Sequence, residues 1–430
     1  MEQIKQYFLF EERGTNLRTE ILAGVTTFLS MMYIVIVNPT VLSIGGMDFG
    51  GVYIATIIAT VTGTLIMGVA AKYPIAIAPG LGINAYVSFT VILTEGFSWQ
   101  QALGAAAIAS GIFIILSLTS FREMFINSIP ESLKKSIAAG IGLFITLIGF
   151  RSGHIVIPSD ATLIALGDLN DPTLILTVVG LIITMILIVT RITGAIFIGM
   201  VFTAIVSGVL GYWQLPENIF SMPSGLDQTL MQVNFDDLPS MTMIVFTILL
   251  VTLFDTTGTM LGVGQQAGLI KDGKFPHLKS ALLADSVASF VGALTGSSPT
   301  SAYVESGTGV SAGGRTGFVA VVVSILFLCL LCFQPLAEAV SSIPAITSPA
   351  LILTGCYMVA GVVKIDWQDY TESFPAFLTM VLMPFTYSIT NGVGIGIITY
   401  VILKVATRQW SQVHPLLAVM AILFLIQMIY

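Results

Sequence analysis

Four acidic or amide side chains interrupt long hydrophobic segments of this chain: Asn84, Asp255, Asp285 and Glu305. A carboxylate inside a membrane costs a few kcal/mol or more, so such a residue is functional by default. Because desolvation disfavours the charged form, an unpaired buried carboxylate can hold a proton and release it when the site opens. The structural alternative is a carboxylate that caps a helix N-terminus. This alternative is strongest for Asp285, near the end of its segment.

Hydroxyl and aromatic residues accompany these groups in sequence. Two carboxylates, an amide and neighbouring hydroxyls suit a flat, neutral ligand with several donors and acceptors, and they suit an anion poorly. Aromatic rings could stack on such a ligand, although a single aromatic residue more often packs. We expect Asp255 and Glu305 to couple binding to protons. The candidate binding residues are Asn84, Tyr86, Phe254, Asp255, Thr256, Ser301, Tyr303 and Glu305.

Histidine and cysteine offer little for catalysis or metal binding. The three histidines fall in loops or at segment ends, and an enzyme would need a nucleophile–base or metal constellation. Cys329 and Cys332 form a C-x-x-C on an apolar helix without metal-like partners, so we interpret them as small apolar residues. The sequence predicts no catalytic residue, no metal site and no cofactor.

Two short stretches must position the polar residues. Residues 78–87 and 297–307 each place proline and small residues inside a hydrophobic segment, and both contain Ala-Tyr-Val. The two Ala-Tyr-Val steps are 217 positions apart, as are Asn38 and Asp255. Matching breaks in two halves of a membrane chain point to a transporter site. Freed backbone groups cannot face lipid, so each stretch is expected to line a cavity as a strand followed by a half-helix.

Composition predicts an all-α polytopic membrane protein. The 430 residues are 55% hydrophobic and 9% charged, against roughly 25% charged in soluble domains. Hydrophobic runs of about 18 residues or more can span a bilayer. We predict fourteen spans, with the third and tenth broken: 17–42, 51–71, 76–94, 99–119, 132–150, 173–190, 194–212, 240–266, 278–295, 297–313, 316–338, 348–365, 373–388 and 389–405.

Charge distribution predicts the orientation of these spans. With a cytoplasmic N-terminus, every Lys and Arg except Arg151 falls on the inner side, including Arg122, Lys271 and Lys274. Such a bias predicts a multi-pass protein of the cell inner (plasma) membrane. The net charge of −7 reflects outer loops and site carboxylates, and it implies no nucleic-acid partner. Residues 414–430 form an extra apolar segment, which either spans or lies at the interface.

The chain divides into two similar units. Residues 1–212 hold spans 1–7 and residues 240–405 hold spans 8–14, and an odd number of spans makes the second unit inverted. Chance similarity between glycine-rich helices is the alternative. We predict that 17–119 and 240–338 form a core domain. The gate domain is then formed by 132–212 and 348–405.

Four segments resemble a known family. They are GVTTFLSMMYIVIVNPT, GINAYV, FDTTGTMLGVGQQAG and GSSPTSAYVESGTGVSAGGRTG. They are similar to those of the AzgA-like purine permeases, the adenine and guanine–hypoxanthine branch of the nucleobase–cation (nucleobase–ascorbate) symporters. The resemblance covers essentially the whole chain. It implies a uracil-permease-like fold of two inverted seven-segment repeats, and a base site at Asn84, Asp255 and Glu305. Ser306 departs from the Asn that the wider family prefers, which weakens transfer of ligand preference from uracil or xanthine carriers.

The leading functional hypothesis is secondary active import of a purine base by proton symport with alternating access. Guanine and hypoxanthine are favoured, with adenine as a further candidate. The partners are then the purine, protons and the lipid bilayer. A SulP-like anion exchanger of the same fold is the alternative, although it is expected to lack paired intramembrane acids. An intramembrane enzyme is the third class. The preferred base, Na⁺ in place of H⁺, and a homodimer stay open.

Overall fold

The structure is a computed structural model that describes residues 2–119, 128–269 and 276–429, and most of them are helical. Arg122, Lys271 and Lys274 lie outside the described residues. In chain order the helices and strands are α1 (Glu2–Tyr7), α2 (Leu17–Met31), α3 (Ile34–Ile44), α4 (Phe49–Ile66), β1 (Ile77–Pro79), α5 (Leu81–Ala85), α6 (Trp99–Leu118), α7 (Glu131–Ser152), β2 (Val156–Ser159), β3 (Leu163–Leu166), α8 (Pro172–Val189), α9 (Ala195–Val209), α10 (Leu226–Thr229), α11 (Leu238–Gln266), α12 (Leu278–Thr295), β4 (Thr300–Ala302), α13 (Ser306–Ser311), α14 (Phe318–Leu330), α15 (Gln334–Ser341), α16 (Pro344–Val359), α17 (Tyr370–Thr386), α18 (Ile389–Ala406) and α19 (Pro415–Ile429).

Several helices continue in turns of different width. The α4 and α5 helices widen into π-type turns over Met67–Ala71 and Tyr86–Thr94. Tighter 3₁₀ turns follow at Leu331–Phe333, Ala360–Lys364 and Trp410–Gln412. The helix that begins at Leu81 continues directly into the π-type turns and ends at Thr94, so it forms one half-helix after β1.

Ten helices in the described part of the chain are long and apolar enough to cross a membrane, judged by length and composition. The protein is therefore a multi-pass membrane protein. Three shorter apolar helices accompany them: Leu81–Thr94, Ala195–Val209 and Pro415–Ile426. The span predicted at 373–388 corresponds to α17, which has 17 residues and contains Pro375 and Pro384. The count of fourteen spans stays a prediction.

The two broken segments meet as a pair of short antiparallel strands. Ile77 of β1 is opposite Ala302 of β4, and Pro79 is opposite Thr300. Each strand is followed by a helix, α5 after β1 and α13 after β4. Proline removes an N–H and fixes φ, so it favours this extended start over a continuous helix. The expected order of strand and half-helix is present in both segments.

Hydroxyl groups satisfy the backbone of this buried strand pair. Thr64 Oγ1 lies 3.0 Å from both the N–H and the carbonyl oxygen of Ile77. The Ala76 N–H donates to Ser306 Oγ at 3.0 Å, and the Thr300 N–H donates to Ser289 Oγ at 2.9 Å. Lipid offers no such partners, so the strand pair is stable only inside the protein. The helices α4, α12 and α13 enclose it.

A second set of helices packs through small residues and one ion pair. A Cβ on Gly142 of α7 would lie 2.6 Å from the carbonyl oxygen of Gly355 of α16, so the two backbones touch. Lys404 of α18 is 1% exposed, and its Nζ lies 2.8 Å from Glu372 Oε1 of α17. Ser132 of α7 donates a short hydrogen bond to the same carboxylate. The pair therefore fastens α7, α17 and α18 to one another.

A hairpin outside the helices was not predicted. Strands β2 and β3 pair antiparallel, with Val156 opposite Leu166 and Ser159 opposite Leu163. They lie in the stretch 151–172, between two predicted spans. Strands of only four residues, with exposed or half-exposed side chains, are too short to show a clear alternation of apolar and polar residues, so the sequence did not indicate them.

Candidate functional site

A cavity of about 440 Å³ lies between the strand pair and two helices of the second set. This volume is within the range of small-molecule sites. One wall comes from α11 and from β4 with the start of α13, and the opposite wall comes from α7 and α16. The residues that line it are Tyr33, Leu81, Gly82, Lys135, Ala138, Phe254, Asp255, Gly258, Thr259, Gly262, Val263, Gln266, Ser301, Ala302, Tyr303, Val304, Glu305, Thr354, Tyr357, Met358 and Gly361.

Helix α11 presents one continuous face to the cavity. Asp255, Gly258, Gly262 and Gln266 are three, four and four residues apart, which places them on one side of a helix. A Cβ added to Gly258 or Gly262 would meet nothing within 4 Å, so the absent side chains leave a groove along α11. The cavity therefore extends from Asp255 to the C-terminal end of this helix.

Glu305 lies directly before α13 and is held by a tyrosine. Its Oε1 accepts a hydrogen bond from the Tyr33 hydroxyl at 2.7 Å. Tyr33 is fully buried and lies between the end of α2 and the start of α3. No local sequence pattern singled out Tyr33, because a lone aromatic residue in an apolar segment is usually packing.

Asp255 faces the other half of the strand pair. A Cβ on Gly80 would lie 3.7 Å from Asp255 Oδ2, an ordinary van der Waals distance, so the end of β1 lies next to this carboxylate. The Ser301 side chain lies beside the same carboxylate. Gly80 immediately precedes α5, and the N-terminal end of a helix carries a partial positive charge that favours an anion nearby.

Five predicted binding residues line the cavity together: Phe254, Asp255, Ser301, Tyr303 and Glu305. The Tyr303 hydroxyl donates to the Pro79 carbonyl oxygen at 2.7 Å, which leaves the ring as its contribution to the cavity wall. Neither carboxylate has a Lys or Arg within ion-pair distance among the residues described.

The other three predicted residues lie elsewhere. Asn84 is fully buried, and its Nδ2 donates to Asn38 Oδ1 at 3.0 Å. Asn38 in turn donates to Thr56 and Ser297, so the amides belong to a polar network behind the cavity wall. Tyr86 shares a hydrogen bond with a residue of α18, described below.

Thr256 and Asp285 form a separate buried pair. Thr256 Oγ1 donates to Asp285 Oδ2 at 2.6 Å, and Thr300 Oγ1 donates to Asp285 Oδ1 at 2.9 Å. Neither Thr256 nor Asp285 lines the cavity. Asp285 therefore links α11, α12 and β4 through threonine hydroxyls, and in these contacts it does not cap a helix N-terminus.

Lys135 of α7 contributes a cation to the opposite wall, which the sequence did not anticipate. Its neighbour Lys134 pairs with Glu131 at 2.8 Å. In contrast, no ion pair joins Lys135 to an acid in the described part of the chain.

The site combines two acceptors, a hydroxyl and aromatic rings in one partly enclosed volume. Carboxylate oxygens accept from the N–H groups of a neutral ring, and Phe254 and Tyr303 supply apolar faces. No group of three or more His, Cys, Asp or Glu side chains that could hold a metal ion occurs among the described residues. The arrangement suits binding and proton exchange.

A sequence model described as "Permease family" matches residues 18–395. The chain belongs to this family. This permease is 47% identical to the guanine/hypoxanthine permease PbuO of Bacillus subtilis over 98% of its own length and 99% of that protein's length. It is 38% identical to the adenine permease AdeP of Escherichia coli, over 99% of this chain and 96% of the relative. Its named relatives are transporters, so the expectation that it is no enzyme is confirmed.

Solved structures with the same fold come from anion transporters. The transmembrane domain of the cyanobacterial bicarbonate transporter BicA superposes with a TM-score of 0.65 at 14% identity, over 87% of the permease and 97% of that domain. SLC26A9 gives a TM-score of 0.64 at 13% identity, over 91% of the permease and 66% of that chain. At such low identity the likeness concerns the fold alone.

Proposed function

We propose that this permease imports purine nucleobases by proton symport, with guanine and hypoxanthine favoured and adenine as a further candidate. The observation that carries the proposal is a cavity with Asp255 and Glu305 on one wall. It occurs in a chain 47% identical to a guanine/hypoxanthine permease.

The chemistry of a purine matches this wall. Hypoxanthine and guanine carry ring N–H donors and a flat aromatic face. Glu305 accepts hydrogen bonds from ring N–H groups, and Asp255 lines the same cavity. Phe254 and Tyr303 line the cavity and supply aromatic surfaces against which the ring can stack.

Protons enter the scheme through the two carboxylates. No Lys or Arg within the described residues neutralises them directly, and two negative charges in one cavity repel each other. Protonation neutralises the carboxylates of the loaded site and lets it move through the low-dielectric interior without carrying an unpaired negative charge. An empty, charged site is held back, because exposing a charge to a low-dielectric surface is costly.

Alternating access follows from the position of the cavity. It lies between the predicted core, 17–119 with 240–338, and the predicted gate, 132–212 with 348–405. The proposal keeps the fourteen spans in two inverted repeats, in the cell inner membrane with a cytoplasmic N-terminus. The charge bias then places the Gln266 end of α11 in the cytoplasm, so the cavity faces inward.

The first experiment measures uptake of labelled hypoxanthine into proteoliposomes with an imposed pH gradient. We expect accumulation that collapses with the gradient, and competition by guanine. Glu305→Gln replaces an acceptor oxygen by a donor, so affinity should fall roughly ten- to a hundredfold, about 1.5–3 kcal/mol.

Matched conditions separate the alternatives. Replacing the proton gradient by a Na⁺ gradient tests the coupling ion, and labelled chloride or bicarbonate tests the anion-exchanger hypothesis that the fold raises. Unchanged hypoxanthine affinity in Glu305→Gln, or anion exchange without purine uptake, contradicts the proposal.

A further inference from the structure

Tyr33 contacts the carboxylate that the transport scheme assigns to the purine. Its hydroxyl donates to Glu305 Oε1 at 2.7 Å, and both residues line the cavity. The tyrosine side chain is 0% exposed, whereas Glu305 is partly exposed to the cavity, so the hydrogen bond is partly buried. A phenol is a neutral donor at neutral pH. It can therefore orient the carboxylate and leave its negative charge in place, whereas a lysine or arginine would cancel that charge.

The backbone around Tyr33 restricts where its side chain can go. Tyr33 lies between α2 and α3, and Val37 N–H donates to the Tyr33 carbonyl oxygen at 3.0 Å. The same helix α3 carries Asn38, whose Nδ2 donates to Ser297 Oγ at 3.0 Å, just before β4. The tyrosine and the segment that leads to Glu305 are thus held to one another at two points.

We propose that Tyr33 is the positioning residue for Glu305. It fixes Oε1, so that the carboxylate presents its remaining lone pairs to the ring N–H groups of the purine. Rotamer freedom that Glu305 would otherwise lose on binding is removed in advance, which raises affinity. The inference rests on the proposed function only for the identity of the ligand; the hydrogen-bonded pair is defined without it.

Tyr33→Phe removes one oxygen atom and keeps the ring. We expect hypoxanthine affinity to fall about tenfold and KM to rise by the same factor, which is the effect of losing a hydrogen bond to a charged group. Tyr53→Phe is the matched control. Tyr53 is also 0% exposed, and its hydroxyl also makes a hydrogen bond, to the Leu330 carbonyl oxygen at 2.6 Å. It does not line the cavity, so its removal should leave affinity unchanged.

A double-mutant cycle tests whether Tyr33 acts through Glu305. Glu305→Asp keeps the charge but withdraws it from the hydroxyl by one methylene group. If the two residues act as a pair, adding Tyr33→Phe to Glu305→Asp costs less than about threefold in affinity, because the contact is already lost. A full tenfold further loss in the double variant contradicts the pairing. Glu305→Asp alone also weakens binding in this account, because the shorter side chain moves the carboxylate away from the Tyr33 hydroxyl and from the purine.

Infrared difference spectroscopy examines the pair independently of transport. The carboxyl band of Glu305 is identified as the one that disappears in Glu305→Gln. It should move in Tyr33→Phe and stay in place in Tyr53→Phe. Either an unmoved band or an unchanged affinity in Tyr33→Phe overturns the positioning role. If the wild-type protein binds no purine while the band moves, the proposed substrate is wrong and the pair stands.

Discussion

Asp255 and Glu305 share one cavity but have different partners, which indicates different roles. Glu305 is held by the Tyr33 hydroxyl at the start of α13. Asp255 projects from the middle of the 29-residue helix α11 and approaches Gly80 and Ser301 of the two broken segments. Asp255 therefore lies next to the start of α5 and next to β4, the strand that precedes α13. A change in its charge reaches both halves of the site.

We predict that Asp255→Asn uncouples transport from protons. Asparagine keeps the size and the hydrogen bonding of the side chain but cannot titrate. Exchange of hypoxanthine across the membrane should survive in part, while accumulation driven by a pH gradient disappears. Both are measured in the same proteoliposomes, with and without the gradient.

Asp285→Asn is the matched control for this prediction. It changes an aspartate on a neighbouring helix that is fully buried and is bonded to Thr256 and Thr300 outside the cavity. It should lower thermal stability without a selective loss of accumulation. If Asp255→Asn still concentrates hypoxanthine under a proton gradient, Asp255 has only a structural role.

The sequence predicted the acids better than their neighbours. An intramembrane carboxylate is recognisable by its cost alone, whereas the direction of a side chain around its helix is not. Asp255 and Thr256 are consecutive, so they point about 100° apart on an α-helix. One faces the cavity and the other faces Asp285. Asn84 likewise points away from the cavity and contacts Asn38 behind the wall. Tyr33 was recognised only from its hydrogen bond to Glu305 in the structure.

At the level of elements, a cluster of hydroxyls joins three helices on the side of the site away from Gln266. Tyr86 Oη lies 2.7 Å from Thr390 Oγ1, and Thr247 Oγ1 lies 3.2 Å from the same atom. They come from the turns after α5, from α18 and from α11, and all three are buried. Thr90 adds a hydrogen bond to the Tyr387 carbonyl oxygen at 2.9 Å. These contacts connect the predicted core with the predicted gate.

We predict that Thr390→Val favours opening on this side. Valine keeps the shape but removes the oxygen that both partners share, at a net loss of about 1 kcal/mol. The population open on this side should then rise about fivefold. The measurement is the rate at which a membrane-impermeant thiol reagent, added from that side, modifies a cysteine at Thr259 in the cavity wall. The three native cysteines are replaced by serine beforehand.

Thr379→Val provides the comparison for Thr390→Val. The Thr379 hydroxyl bonds the Pro375 carbonyl oxygen within α17, so its loss should not change access to the cavity. Equal reactivity in Thr390→Val and in the parent protein would mean that the hydroxyl cluster does not hold this side closed.

Some elements were predictable and others were not. Proline and glycine inside an apolar run predicted the strands β1 and β4, because both residues destabilise the interior of a helix. The pairing of the two strands needs contact between residues more than 200 positions apart, which no local pattern contains. The hairpin β2–β3 is too short for a periodic signal. Pro375 and Pro384 lie inside α17 without ending it, so proline alone did not predict the end of a helix.

At the scale of the whole molecule, each of the two sets of helices is stabilised by its own internal contacts. The strand pair and its hydroxyl partners join β1 and β4 to α4, α12 and α13. The buried ion pair of Lys404 and Glu372 joins α17 and α18, with Ser132 of α7 on the same carboxylate. Breaking a buried ion pair is strongly unfavourable. Each set therefore resists internal rearrangement, and the cavity lies along the boundary between them.

We predict that the two sets move against each other as rigid bodies when hypoxanthine binds. Spin labels are placed at exposed positions. Leu261 and Ile325 belong to the first set, the predicted core, and Phe377 and Ile402 belong to the second set, the predicted gate. The distances from Leu261 to Ile325 and from Phe377 to Ile402 should stay constant, while the distance from Ile325 to Ile402 changes with ligand and pH. The within-set pairs are the internal control for label motion. A change in the first within-set distance comparable to that between sets would mean that the core itself rearranges, and transport would then not occur around a fixed site.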